Sequence, residues 1–475
     1  MSSSSIQTTI APYDQSVVCE KQLLSAAELD QAIDAAATAQ KAWAKVSVKE
    51  RVAIITKWMA LLDADKEALG KELSEQMGRP ASQCAGEIKG ALQRCRYLCK
   101  VAEECLADSP RTDTETPNLK LAIRRDPFGV VGIVTPWNYP YLTTVNGLIT
   151  ALLAGNAVVL KPSPQTPLTA ESFQRTLEQA GLPKGLLHIA HLDFDTTAKL
   201  AAHPRIGFLI FTGSVAGGKA LAKAAADGPG FKGVGLELGG KDPAYVRADA
   251  DIKWAAEELV DGAMFNSGQS CCSVERIYVH ASVFDEFVNE FVGVAKQYKL
   301  GNPSQSGVSL GPVVSLASAE RIRKQVDDAL SKGAKNLIPA DLFPEAKAGT
   351  ALVAPTVLVD VDHSMEIMTE ETFGPAIGIM KVSSDDEALE LMNDSHYGLT
   401  ASVWTNIEDA ESAAAFDRLA TELETGTVYL NRADVLDPAL PWTGVKDSGR
   451  GVSLSTLGFD QLTQPKAIHM RLRKA

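Results

Sequence analysis

The chain has 475 residues, of which 45% are hydrophobic and 22% charged. That is too long for one core and too apolar for disorder, so two or more packed domains are expected. The formal net charge of −13 argues against nucleic acid or an anionic membrane as partner, and seven irregularly spaced cysteines fit neither a zinc site nor a disulfide framework but suit a reducing compartment.

Met1 to Ile10 is Ser/Thr-rich, with neither the basic nor the apolar region of a secretory signal. The longest apolar run, Leu148 to Leu160, is interrupted by Gly155-Asn156 and is too short to span a bilayer. The tail Arg471-Leu472-Arg473-Lys474-Ala475 matches no lipidation or peroxisomal signal. A cytoplasmic protein is expected.

Ser25-Ala26-Ala27-Glu28 and Ser47-Val48-Lys49-Glu50 have capping-box spacing and each precedes a helical pattern. The second helix carries Ile54, Ile55, Trp58, Leu61 and Leu62 at 3–4 spacing and is expected to end near Gly78-Arg79-Pro80. A third runs from about Gln83 to Glu104, where Cys95 and Cys99 read as packing residues. Leu119 to Arg125 alternates apolar and charged residues, as an exposed or subunit-edge strand would. From Gly129 short β-rich runs (130–134, 157–160, 187–190 and 206–211) alternate with helix-length segments, predicting a doubly wound α/β domain with ligands at the strands' carboxyl ends. After Ala250 a second α/β series follows. It has helices over 251–265 and 283–300 and strands over 276–280, 356–359, 376–382 and 427–430.

Chemistry gathers at the junctions. Phe265-Asn266-Ser267-Gly268-Gln269-Ser270-Cys271-Cys272 sets a thiol after a Gly-Gln-Ser loop, where backbone amides can favour thiolate; buried packing is the plain alternative. Phe211-Thr212-Gly213-Ser214-Val215-Ala216-Gly217-Gly218 joins a strand to a helix, as a phosphate-binding turn or simply a tight turn. Lys161-Pro162-Ser163 puts a cation at a neighbouring strand end. Pro136-Trp137-Asn138-Tyr139-Pro140 holds an amide on a stiff loop, either as an oxyanion donor or as a helix cap. Glu237, set among apolar residues and glycines, suits a general base or an ion pair with Lys241. Glu370-Glu371-Thr372-Phe373-Gly374-Pro375 adds another carboxylate before an aromatic.

In this order, with 34 residues from Glu237 to Cys271 and the later Pro441-Trp442-Thr443-Gly444-Val445-Lys446-Asp447-Ser448-Gly449 segment, the chain resembles the aldehyde dehydrogenase superfamily over nearly its whole length. The resemblance implies a Rossmann-like cofactor domain (1–108 and 128–239), a catalytic domain (240–440) and oligomerisation strands (109–127 and 455–475) of a homodimer or homotetramer. It implies Cys271 as nucleophile, Asn138 with the Cys271 N–H as oxyanion donors, and Glu237 as the base that hydrolyses a thioester to the acid. Trp137, Lys161, Ser163, Gly213, Ser214, Gly218, Glu371 and Phe373 would bind the cofactor. That cofactor is NAD, with NADP admitted because Pro164 stands where NAD-preferring relatives often carry a glutamate; no metal is implied. Ser453 replaces a glutamate that commonly relays protons to the base, leaving Glu237 to exchange with water or another acid. The tail would pair with Leu119 to Arg125 of a neighbouring subunit.

Tyr139, Thr143, Asn146, Ser270, Cys272, Asp437 and Trp442 are the implied pocket positions. Tyr139, Trp442 and Asp437 suit an amino- or betaine-type aldehyde, the rings also suit an aromatic one, and Arg432 suits an acidic semialdehyde. Transfer to CoA instead of water, or a retired homologue with a structural role, are the competing readings. Glu237 argues against the first, and retention of Cys271, Asn138 and Glu237 argues against the second.

Overall fold

The computed structural model describes residues 5–112 and 118–472. Both capping boxes form. Ser25 and Ser47 accept from the third-position amides and Glu28 and Glu50 return the bond, starting the helices Ala26–Trp43 and Val48–Met77. Such caps stabilise a helix by about 1 kcal/mol each. The second helix ends where Gly78 takes φ 85°, and a side chain there would meet Pro312. The helix Ala81–Leu106 follows, burying Cys84, Ile88, Ala91, Cys95 and Leu98.

A six-stranded sheet is ordered Gly449–Arg450, Gly233–Glu237, Ile206–Thr212, Val130–Val134, Ala157–Lys161, Leu187–Ile189. Its last five members are parallel; in chain order they run 5-4-1-2-3, the doubly wound arrangement. The order reverses between Val130–Val134 and Ile206–Thr212, so the loops leaving these two strands, through Asn138 and through Ser214, flank a crevice at their carboxyl ends. Every residue of Val130–Val134 is buried, as expected of a parallel strand covered on both faces.

A seven-stranded sheet is ordered Lys335–Asn336, Thr356–Val359, Ala376–Val382, Val274–His280, Asp242–Val246, Thr400–Trp404, Thr427–Leu430. All but the first strand run parallel. Its two faces pack as separate apolar clusters, one around Phe287 and Phe291 and the other around Ile322 and Met368. Cys271 precedes the strand that begins at Val274, so the amino ends of this sheet meet the carboxyl ends of the first.

Thr463–Arg471 pairs antiparallel with Leu119–Pro127 of the same chain, in register from Thr463↔Pro127 to Arg471↔Leu119. This corrects the expectation that the tail pairs with a neighbouring subunit's segment. The chain folds back because Asn156 donates to the Leu462 carbonyl (3.0 Å) and Asp460 accepts from Arg125 (2.6 Å), anchoring the strand at its first residue. Residues 473–475 of the basic tail lie outside the described residues. The N-terminal hairpin Ile6–Ile10/Val17–Gln22 was not anticipated; its Thr9 hydroxyl donates to the Pro164 carbonyl (2.8 Å). Among the described residues no helix is long and apolar enough to cross a membrane.

Candidate active site

The helix Ile252–Met264 stops at a turn in which Asn266, Ser267 and Gly268 take φ of 52°, 56° and 69°. Left-handed non-glycine residues cost on the order of 1–3 kcal/mol each and persist only where their surroundings hold them. Here Asn266 accepts from Arg79 Nε (2.9 Å) and donates to the Gln269 carbonyl (3.2 Å), Ser267 donates to the Gly311 carbonyl (2.9 Å), and Gln269 accepts from the Val314 N–H (2.7 Å). A Cβ at Gly268 would lie 2.2 Å from the Gly374 carbonyl, so glycine is required. This turn reverses the chain and sets Cys271 into a cavity of about 480 Å³.

Glu237 opens on the same cavity. It ends a strand of the first sheet, and its carboxylate accepts from Ser453 Oγ (2.5 Å) and Thr212 Oγ1 (3.3 Å). Burial raises its pKa, while the Ser453 and Thr212 hydroxyls and the charge of Arg94 draw it back. The open choice at Lys241 is resolved: it pairs with buried Glu275 (2.8 Å) and donates to Thr372 Oγ1 (2.9 Å), not with Glu237. Ser453, which faced no assigned partner, contacts Glu237 directly. It also exchanges two backbone hydrogen bonds with Trp442 (2.8 and 2.9 Å).

Asn138 is not a helix cap. Pro140–Leu153 has Tyr139 at its N-cap without a side-chain bond, and Asn138 Nδ2 donates to the Gln269 carbonyl (3.2 Å), two residues before Cys271. The exposed N–H groups of that helix go instead to Glu87, whose Oε1 accepts from the Tyr141 and Leu142 amides (2.7 and 3.2 Å). Glu87 pairs in turn with Arg79 (2.5 Å). Arg79 also donates to the Asn138 carbonyl and lies over the Tyr139 ring at 4.4 Å. One buried guanidinium thus fixes the Asn138 loop and the Asn266 turn together.

Tyr139, Thr143, Asn146, Ser270, Cys272 and Trp442 all line the cavity. Asp437 and Arg432 do not; both are exposed and line a separate, smaller cavity of about 170 Å³. Asp434, three residues before Asp437, is in the wall instead; it is held at φ 48°, and its Oδ1 accepts from Ser270 Oγ (2.7 Å) and Cys272 Sγ (3.0 Å). Burial pushes its pKa up to about 6. Cys272 is buried and its thiol is pushed well up, first by its contact with Cys271 and then by burial. Sequence reasoning missed Arg79, Glu87, Arg94 and Asp434. Glu87 and Arg94 carried a readable signal, because they fall on the stripe of Cys84, Ile88, Ala91, Cys95 and Leu98 where a helix should be apolar.

At the crevice between the reversing strands, Lys161 closes its strand in register with Val134. Burial lowers its pKa to about 8, and no carboxylate pairs with it among the described residues. Ser163 is buried and accepts from the Gln165 N–H (3.2 Å). Ser214 caps Val215–Asp227 by accepting from the Gly217 N–H (3.2 Å). The Gly213 N–H is spent on the Glu237 carbonyl (3.0 Å), and Gly218 lies so close to Leu238 that a Cβ would stand 2.6 Å from it. These two glycines shape the turn rather than donate from it. Trp137 and Phe373 meet edge to face at 5.5 Å. Glu371 accepts from the Gly240 N–H (3.1 Å), and burial with nearby Glu275 raises its pKa to about 7. An unpaired lysine, a helix N-terminus and an aromatic edge in one crevice fit a dinucleotide.

The profile of the aldehyde dehydrogenase family matches residues 1–468. A vanillin dehydrogenase of Corynebacterium glutamicum is 35% identical over 474 residues, covering 98% of this chain and 94% of the relative. A peroxisomal aminoaldehyde dehydrogenase of Pisum sativum is 33% identical over 467 residues, covering 97% and 91%. Among solved structures, an NADP-dependent glyceraldehyde-3-phosphate dehydrogenase of Bacillus halodurans in complex with NADP superposes with a TM-score of 0.92 at 31% identity, over 99% of this chain and 96% of that one.

Proposed function

The chain belongs to the aldehyde dehydrogenase family, and from that premise we propose that it oxidises an apolar or aromatic aldehyde to the carboxylic acid with NAD or NADP. The observation that carries this reading is that the Cys271 thiol and the half-buried Glu237 carboxylate open on one cavity. Cys271 attacks the aldehyde carbon, and the oxyanion is held by the second N–H of Asn138 Nδ2 and the Cys271 amide, donors of a kind worth several kcal/mol. Lys161, Ser163, the Ser214 helix terminus, Glu371 and the Trp137–Phe373 pair would hold the dinucleotide, which would supply the hydride acceptor. Glu237 then takes a proton from the water that attacks the Cys271 thioester, and the acid leaves. Division into two covalent steps lowers the barrier of each.

Tyr139, Trp442, Leu142, Leu436 and Phe265 give the cavity apolar walls. A cationic aldehyde suits it less, because Arg79 already occupies the Tyr139 ring and Asn146 holds Arg94 (3.0 Å). We assign 1–108 and 128–239 to cofactor binding and 240–440 to catalysis. The exposed three-stranded sheet formed by 109–111, 119–127 and 463–471 supports a homodimer or homotetramer, and the seven unpaired cysteines support a cytoplasmic location.

Acid formation without CoA tests the reaction. In Glu237→Gln the first NAD(P)H-forming turnover persists as a burst of one equivalent, while steady-state kcat falls about 10²–10⁴-fold, the usual worth of a general base. Steady turnover at the wild-type rate, or a strict need for CoA, overturns the assignment. Ser453→Ala has a signed pH effect. The Ser453 hydroxyl donates to the Glu237 carboxylate and so favours its ionised form. Without it the pKa rises further, more of the base is protonated near neutrality, and the acid limb of the kcat–pH profile moves to higher pH. An unmoved limb separates Ser453 from the base.

A further inference from the structure

We propose that Arg94 forms an anionic-oxygen subsite in the aldehyde cavity, so that the preferred substrates carry a carboxylate or phenolate remote from the aldehyde carbon. The proposal rests on the reading of the cavity given above.

Two guanidinium groups reach this cavity and they are in opposite states. Arg79 is consumed by Glu87, the Asn138 carbonyl, Asn266 and the Tyr139 ring. Arg94 is 7% exposed, yet its hydrogen-bond partners among the described residues are neutral: Nη1 donates to the Leu142 carbonyl (2.9 Å) and to Asn146 Oδ1 (3.0 Å). Its Nε and Nη2 hydrogens find no acceptor among the described residues, and no carboxylate lies within ion-pairing distance. A buried guanidinium keeps its charge, and with Glu237 acting on it only through the field and not in an ion pair, an anion in direct contact would offset the cost of its burial.

The carboxylates around the cavity do not fill that need. Glu87 is taken by Arg79 and two amides, Glu237 by two hydroxyls, and Asp434 by a hydroxyl and a thiol. Glu258 and Asp261 sit on the exposed side of the helix Ile252–Met264. Asn146 and Leu142 hold the guanidinium plane from one side, which leaves Nε and Nη2 as the adjacent donor pair that a carboxylate accepts in bidentate fashion. The apolar walls supply the remaining surface, and Cys271 on the same cavity receives the aldehyde.

The test compares kcat/KM for substrates that differ only in the remote group. The carboxylate arm pairs 4-carboxybenzaldehyde with 4-formylbenzamide. The phenolate arm pairs 4-hydroxybenzaldehyde with 4-methoxybenzaldehyde, above the phenol pKa. In wild type the ratio of anion to neutral exceeds one in at least one arm, and that arm names the group. Arg94→Gln lowers the ratio at least tenfold, and Arg94→Lys restores part of it. A ratio unchanged in Arg94→Gln overturns the proposal, because support of the Leu142 carbonyl or a field on Glu237 would act on both members of a pair alike.

Should Arg94→Gln not fold, binding of terephthalate and of its monoamide to the wild-type protein, measured by calorimetry, decides the carboxylate arm. Tighter binding of the dianion supports the subsite; equal binding, together with wild-type phenolate and methoxy ratios at or below one, removes it. If no aldehyde in either arm is turned over, the hydrolytic reading fails, whereas the calorimetric comparison still judges Arg94.

Discussion

Serine in place of Cys271 lowers aldehyde-dependent NAD(P)H formation by at least about 10³-fold, on the scale of nucleophile removal in enzymes of covalent mechanism. The change replaces one sulfur by oxygen at a half-buried position of the cavity. The turn that carries it is held by Asn266, Ser267 and Gln269, which the substitution leaves alone. Thermal unfolding should therefore stay close to wild type while turnover disappears. NADH or NADPH production at an undiminished rate would show that the thiol is not the attacking group.

The second large effect is structural and acts on the cofactor side. Glu275→Ala destabilises the protein by roughly 3–5 kcal/mol, the cost of stranding a buried charge. Glu275 is 4% and Lys241 0% exposed in their side chains. The same carboxylate accepts from the Thr372 and Phe373 amides (2.7 and 2.8 Å). Those bonds hold Phe373 at φ 50°, against Trp137. Denaturant unfolding reads the stability loss, and KM for the dinucleotide rises as the aromatic edge loses its support. Replacing both partners with apolar residues, Lys241→Met with Glu275→Leu, recovers part of the stability but not the KM. A Glu275→Ala protein as stable as wild type would contradict the buried pair.

The helices, the parallel strands and the crevice at their carboxyl ends were legible because each leaves a local trace: Ser…Glu caps, apolar runs, Gly and Pro at the junctions. Strands without such a trace escaped. Gly233–Glu237 has two glycines in five residues, and Ile6–Ile10 is polar enough to read as a tail. The family resemblance brought Cys271, Glu237 and Asn138 forward as candidates. It did not reveal their supports, because Arg79, Glu87 and Asp434 act through partners 8 to 187 residues away. For the same reason the sequence points to Asp437 as the pocket acid and leaves Asp434 unmarked. Two acids three residues apart look alike in sequence, and the left-handed conformation at Asp434 decides which faces inward.

The knot around Arg79 bears on how this protein would fail. A single guanidinium is the common fastening of the helix Ala81–Leu106, the Asn138 loop and the turn before Cys271. Each sheet keeps its own apolar core. Damage at that fastening would strand the buried Glu87 carboxylate, at a cost of about 3–5 kcal/mol, and would also release the donors and the thiol from their alignment. Activity and stability in this molecule are therefore fastened at one point, and heritable loss of both can arise well away from the thiol.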